Sequence, residues 1–370
     1  MGNMIVKDNL QQTFDRLLAY AERRLGQGIL ASVGATAPST GNADAQAEGG
    51  IQTRECLLLA DLAGCVRQTE SSLRDFFPAA LRCDYYPVVN PTMNFGESIW
   101  SGLLGAPITF AGTRSHTWSY CAAPPLEDFS RFPFAPLDPA NYWYRKMLEV
   151  TGYYVKHLPS RCDISPFIFM DCLNLLVELR GATQAYLDLY ENAEIIPQFL
   201  DWSVDVNCAL YDAQAELARD FTTRAFGGHP FHRYSGACIP NLSIDAYGLC
   251  AAEIYRKWGL EQHRRVVNRY GGGRLHIHGN GRHLCELVAQ NTRLTSCNMG
   301  DDVGYPPAWT IVRKLRDRMT PVPIEVNMPL DAFLQGLSQH TLPAGVYYHT
   351  MTDSLADANR IMDQVFEYRE

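Results

Sequence analysis

The chain has little of what several large protein classes require. No apolar stretch approaches the ~20 residues of a membrane-spanning helix, the longest candidates being runs such as 164–170. The first residues, MGNMIVKDNLQQ, lack the basic-then-apolar pattern of a secretory signal, so a cytoplasmic protein is expected. The Met-Gly-Asn start is only loosely like a myristoylation site, and no polybasic segment supports an anchor. Basic charge is in deficit: 32 Lys and Arg stand against 40 Asp and Glu, a net charge of −8, which argues against a nucleic-acid partner. The 11 cysteines include no CxxC pair, which removes the zinc-ribbon and thioredoxin-like readings. GxSxG, HExxH and Walker loops are also missing. The Gly271–Gly273 triplet precedes a strand instead of joining a strand to a helix, so it is a poor phosphate loop.

What is present is an alternation of short β-like runs with longer helical ones. Leu10, Phe14, Leu17, Leu18 and Leu25 have helical spacing, and residues 51–77 read as helical again. Residues 1–80 are therefore expected to form an N-terminal helical extension. Within it, 34–50 has no large apolar side chain and reads as a flexible linker or loop. The extension could cover the base of the domain that follows, close over its mouth, or make a homodimer contact. From 81 to 370, eight strand candidates follow: 85–90, 107–111, 164–171, 238–245, 274–278, 294–298, 323–327 and 346–350. Long helices are expected over 193–220, 247–270, 282–291 and 354–368. Eight such units predict an α/β protein with a (β/α)8 TIM barrel, an open doubly wound sheet being second.

In a barrel the carboxyl ends of all strands meet at one rim, where active sites lie. His276 and His278 in RLHIHGN are two apart on a strand, share a face and have Cβ atoms about 7 Å apart. Both could reach one metal ion, or both could simply fill a polar interior by hydrogen bonding. With His349 of the last strand they make a reasonable three-ligand zinc site with one open position. Cys297 is the competing third ligand, or else a small buried residue. Asp171 and Asp245 each end a strand, as catalytic acids or as N-caps of the next helix. Asn90 and Asn94 in NPTMNFG read as a polar active-site loop or a turn, and Asn174, Asn280 and Asn327 lie at or just after other strand ends. Arg114 and His116, and separately His229, His232 and Arg233, form loop clusters able to bind an anionic small-molecule substrate, or solvated loops.

A string of segments from about residue 80 onward resembles the uroporphyrinogen decarboxylase superfamily. These are DCLNLLVELRG (171–181), DLYENAEIIPQFL (188–200), SIDAYGLCAAEIYRKW (243–258), LHIHGN (275–280) and the closing helix at 354–365 with Asn359. LHIHGN is similar to the His-x-Cys-Gly-Asn of the superfamily's cobalamin-dependent methyltransferase branch. The resemblance implies a (β/α)8 barrel and a zinc-dependent, methyltransferase-like enzyme carrying out corrinoid-linked methyl transfer or O-demethylation, with a corrinoid protein as partner. It also implies zinc at the places of His276, His278 and His349, two of which are cysteines in that branch. Histidines there make a harder Lewis acid, better suited to water or an oxygen substrate than to a thiol. The arginine-bearing segment of true uroporphyrinogen decarboxylases is replaced by NPTMNFG. A metal-free decarboxylase of an acidic tetrapyrrole or aromatic substrate, with Arg114 and Arg233 facing the pocket, is the alternative. A non-catalytic corrinoid- or tetrapyrrole-binding protein is the second alternative.

Overall fold

A computed structural model of the chain describes residues 7–35, 51–53, 61–112, 117–158 and 162–370. The chain opens with α1 (Leu10–Ala21), β1 (Leu30–Ala35), β2 (Ile51–Thr53) and α2 (Leu62–Phe76). Then come β3 (Val88–Val89), α3 (Ile99–Leu103), β4 (Ile108–Gly112), β5 (Thr117–Cys121), α4 (Tyr142–His157) and β6 (Asp163–Ile164). Three helices follow, α5 (Cys172–Arg180), α6 (Ala182–Glu191) and the long α7 (Ile196–Ala225). The remainder alternates: β7 (Asn241–Leu242), α8 (Leu260–Tyr270), β8 (Gly273–Ile277), α9 (Cys285–Val288), β9 (Leu294–Met299), α10 (Val312–Met319), β10 (Ile324–Asn327), α11 (Leu330–Gln339), β11 (Val346–Thr352) and α12 (Leu355–Glu367).

The expected α/β class holds. The central element is a parallel sheet of six strands in the order β1-β11-β10-β9-β8-β7. Beside it, β3 and β6 pair in parallel, and Phe169 makes an isolated parallel bridge to Leu242 of β7. Asp84, just before β3, touches β1 twice: its N–H donates to the Ala31 carbonyl at 2.8 Å, and its carboxylate accepts from the Ala31 N–H at 3.1 Å. The same buried carboxylate takes Arg16 Nε at 2.7 Å and Nη2 at 2.9 Å, which ties α1 to the sheet. Phe14, Leu17 and Tyr20 of α1 pack with Tyr86, Phe226 and Tyr347 in a core cluster of their own. Among the described residues no helix is long and apolar enough to cross a membrane.

Three expectations are corrected. The first eighty residues are not helical throughout, because β1 is a strand of the main sheet, paired in parallel with β11 from Leu30↔Tyr347 to Ala35↔Thr352. Its sequence, LASVGA, is built of small residues largely buried on both faces, so it lacks the alternation that marks a half-exposed strand. The strand at 107–111 does form, as β4, but in a separate antiparallel sheet ordered β2-β4-β5. There Phe110 packs against Phe95 and Trp143, away from the parallel strands. The segments 85–90, 164–171 and 238–245 shrink to two-residue ladders. Pro87, Pro166 and Pro240 interrupt them, and each proline withholds an N–H from the ladder. Of the expected linker at 34–50, Gly34 and Ala35 end β1 and 36–50 lie outside the described residues.

Candidate metal centre

Strand alternation decides what faces the site. In β8, Leu275 and Ile277 are buried against the helices, and Arg274, His276 and His278 take the opposite face. The two imidazoles stand edge to face with centroids 4.6 Å apart. One strand over, Asp245 follows β7 and joins them. One ligand atom each from Asp245, His276 and His278 lie within 4.8 Å of one another, and Asp245 Oδ1 is 3.6 Å from His278 Nε2.

The surroundings fix the orientation of both rings. His276 Nδ1 is 2.9 Å from Asn298 Oδ1, and His278 Nδ1 is 2.9 Å from Asp302 Oδ1. Both partners are oxygen acceptors, so in the neutral rings the proton sits on Nδ1 and the Nε2 lone pair is free to ligate. Asp302 is fixed in turn by the Gly279 N–H. Burial opposes its ionisation, but that N–H and His278 hold its carboxyl below the ordinary value. Gly300 makes room for the first ring: a Cβ there would lie 2.9 Å from His276 Cε1. Gly300→Ala is therefore expected to push the ring off Asn298 and weaken metal binding by about 10- to 100-fold. Metal titration alongside a thermal melt checks this, because a fold-wide defect would move the melt as well.

Acidic groups crowd the same place. Burial raises Asp245, opposed by the two histidines, and leaves its Oδ1 without a hydrogen-bond partner. Asp171 is the N-cap of α5, its Oδ1 accepting the Asn174 N–H at 2.8 Å. Its Oδ2 is buried without a partner, and burial pushes the group well above the usual carboxylate range. Glu97 is pushed up to about 7 by burial and then by the charge of Asp245, while Asn174 Nδ2 donates to it at 3.3 Å. Carboxyl groups that burial and one another's charge hold away from ionisation are what a bound cation would relieve. Two imidazole nitrogens and a carboxylate oxygen are also a ligand set that suits zinc with an open position. A cavity of about 430 Å³ adjoins the site, walled by Asn174, Tyr186, Asp245, His278, Asn280 and Tyr305 among others.

The remaining sequence candidates are placed elsewhere. His349 is not in the group: its Nε2 is 3.2 Å from Glu325 Oε2, and its register partners are Asn327 and Ser32. Cys297 is buried on the other face of the sheet, in register with Leu275 and Ile324 instead of His276. Asn327 is exposed at the end of β10. Asn90 donates to the Pro166 carbonyl at 2.9 Å and lines a different cavity, and Asn94 is half-buried on the turn Met93–Phe95. His229, His232 and Arg233 lie in and beside the turn Pro230–Tyr234, which leads into β7 and so sits at the opposite, amino end of the strands. Arg114 and His116 are outside the described residues. Sequence reasoning missed Glu97; it follows the flagged NPTMNFG loop, and a lone glutamate after a glycine carries no periodic signal. No known protein family model and no curated protein matches the chain.

Proposed function

We propose that the chain is a zinc-dependent enzyme in which Asp245, His276 and His278 hold the ion at the carboxyl ends of the parallel strands. The observation that carries this reading is the orientation of the rings: both Nδ1 atoms are engaged by oxygen acceptors, and Asp245 Oδ1 is buried without a hydrogen-bond partner. The sheet is proposed to close into an eight-stranded (β/α)8 barrel through β3 and β6. The Asp84–Ala31 contacts on one side and the Phe169–Leu242 bridge on the other support that closure.

When bound, the ion would supply a Lewis acid that lowers the pKa of a substrate hydroxyl, thiol or water. Asp245 in place of a third imidazole makes the ligand set one unit more negative, and it remains free of sulfur, which still suits an oxygen substrate. Asn298 and Asp302 keep the two rings aimed. Glu97, which accepts a hydrogen bond from the cavity-lining Asn174, is the carboxyl group proposed to exchange a proton with substrate. Asn174 and Asn280 give the cavity polar anchors, and the Asn280 Oδ1 is buried without a partner.

The reaction proposed is methyl transfer or O-demethylation linked to a corrinoid protein, on the resemblance to the methyltransferase branch of the uroporphyrinogen decarboxylase superfamily. Two measurements test it in sequence. Elemental analysis of the as-purified protein is expected to find one equivalent of zinc. Methyl transfer from a methyl-corrinoid is expected to stop on chelation and return with zinc. Protein free of metal that still turns over would sink the proposal, and metal-loaded protein without turnover would sink the reaction class alone.

A further inference from the structure

Below the metal centre, on the same face of the sheet, lies a second cavity of about 310 Å³. It shares no lining residue with the cavity beside Asp245 and His278. Its volume is in the range of small-molecule sites. Four strands contribute an ordered polar group to it: Arg274 from β8, Ser296 from β9, Glu325 from β10 and His349 from β11. Aromatic rings of Tyr85, Tyr86, Phe226 and Phe231 form much of the rest.

The hydrogen bonds of this network are unevenly used. Glu325 is 3% exposed and fully engaged. Arg274 Nη2 donates to both its oxygens, at 2.9 and 3.0 Å. Ser296 Oγ donates to Oε1 at 2.5 Å, and His349 Nε2 stands 3.2 Å from Oε2. Three donor atoms make four contacts to the about four lone-pair positions a carboxylate offers. Arg274 is the reverse case. Its Nε and Nη1 have no partner among the described residues, and its side chain, 42% exposed, lines the cavity. The acidic half of the ion pair is thus sealed, and the cationic half keeps three N–H bonds free.

We infer that this cavity is a binding site, separate from the metal centre, for a small carboxylic acid with a flat apolar body. The acid group meets the free edge of Arg274, and the body lies among the aromatic side chains. Charge-assisted bonds to a guanidinium favour an oxyanion over a neutral polar group, and the aromatic side chains offer the apolar body a surface to bury. No free acceptor of Glu325 remains to repel the ligand or to compete for the open N–H groups.

The test is calorimetric titration of the purified protein with benzoate, phenylacetate and the neutral isostere benzamide. Benzoate or phenylacetate is expected to bind with a Kd of about 1 mM or tighter. Benzamide is expected to bind at least about 10-fold more weakly. The double variant Arg274→Met with Glu325→Met leaves no unpaired buried charge, and it is expected to lose the preference for the acid. Val88→Phe, which fills the cavity and leaves the ion pair intact, is expected to weaken all three probes. Asp245→Ala is expected to leave the affinities unchanged. Equal binding of benzoate and benzamide would overturn the inference, as would a preference for the acid that survives in the double variant. So would no binding of either acid at about 10 mM. A benzoate affinity that follows Asp245→Ala would assign the acid to the metal centre instead, and would equally end it.

Discussion

Asp245→Ala and His276→Ala are each expected to weaken zinc binding by more than about 100-fold. The lower bound follows from removing a ligand outright, since outer partners alone are worth about 10- to 100-fold. Asp302→Ala, which removes the acceptor at His278 Nδ1, is expected to fall within that smaller range. His349→Ala is expected to leave zinc affinity unchanged, because its imidazole is engaged with Glu325. Competition against a chromophoric chelator reads all four on one scale. The pattern discriminates more sharply than any single value. A three-histidine centre would lose its metal on His349→Ala and keep much of it on Asp245→Ala, the opposite of what the Asp245, His276 and His278 cluster requires.

The contrast between Asp245 and His349 marks how far the sequence could be read. That His276 and His278 share a face follows from a period of two. That Asp245 and His349 end or occupy strands follows from the runs CIPNLSID and VYYHT. Which of them converges on the histidines depends on strand order, which no local pattern encodes. Asp245 follows β7, the direct neighbour of β8, whereas β11 lies three strands away, about 14 Å along the sheet. A closed circle with every strand end at one rim makes all these residues look equally close, and the ring of alternatives collapses only once neighbours are known. The same limit hid β1. Its small residues carry no alternation, and only its packing between β11 and α12 makes it a strand. The helices were legible where they cross the surface. α1, α7 and α12 keep one buried face, and α12 starts on a recognisable signal, the Ser354 cap whose Oγ accepts the Asp357 N–H at 3.1 Å. Short strands were legible as apolar runs but not in extent, since prolines at 87, 166 and 240 cut the ladders that composition alone would extend.

Asn298 and Asp302 illustrate a further step between sequence and site. Both stand at or just beyond β9, and each takes the Nδ1 of a different histidine. Asn298 is the register partner of His276, so that contact follows from strand pairing. Asp302 reaches His278 from the loop after β9, where Gly279 offers it a backbone N–H. A Cβ at Gly279 would stand 3.1 Å from Asp302 Oδ2, so the glycine in HGN admits the carboxylate as well as turning the chain. The motif therefore encodes a ligand and the seat of the group that orients it.

Arg274→Met is expected to destabilise the fold by about 3–5 kcal/mol at neutral pH, because it leaves the Glu325 carboxylate buried without its main counter-charge. The size of the loss should depend on pH. In the parent, burial opposes ionisation of Glu325, but Arg274 and the bond from His349 hold its carboxyl well below the ordinary range. A folded pKa below the unfolded one stabilises at pH above about 4.3 and is lost as the pH falls through the folded value. In Arg274→Met only the bonds from His349 and Ser296 still offset the desolvation of this buried acid, so the folded pKa rises above its value in the parent. The variant should then gain stability relative to the parent as protonation of Glu325 removes the buried charge. Urea unfolding at pH 7 and at pH 4 is expected to give a smaller gap between the two proteins at the lower pH. Arg274→Met with Glu325→Met should recover most of the loss at both, since replacing a buried pair by apolar residues is often near neutral. A gap that stays the same at pH 4, or a double variant no better than the single one, would mean that Arg274 stabilises the sheet by packing of its stem and not by pairing with Glu325.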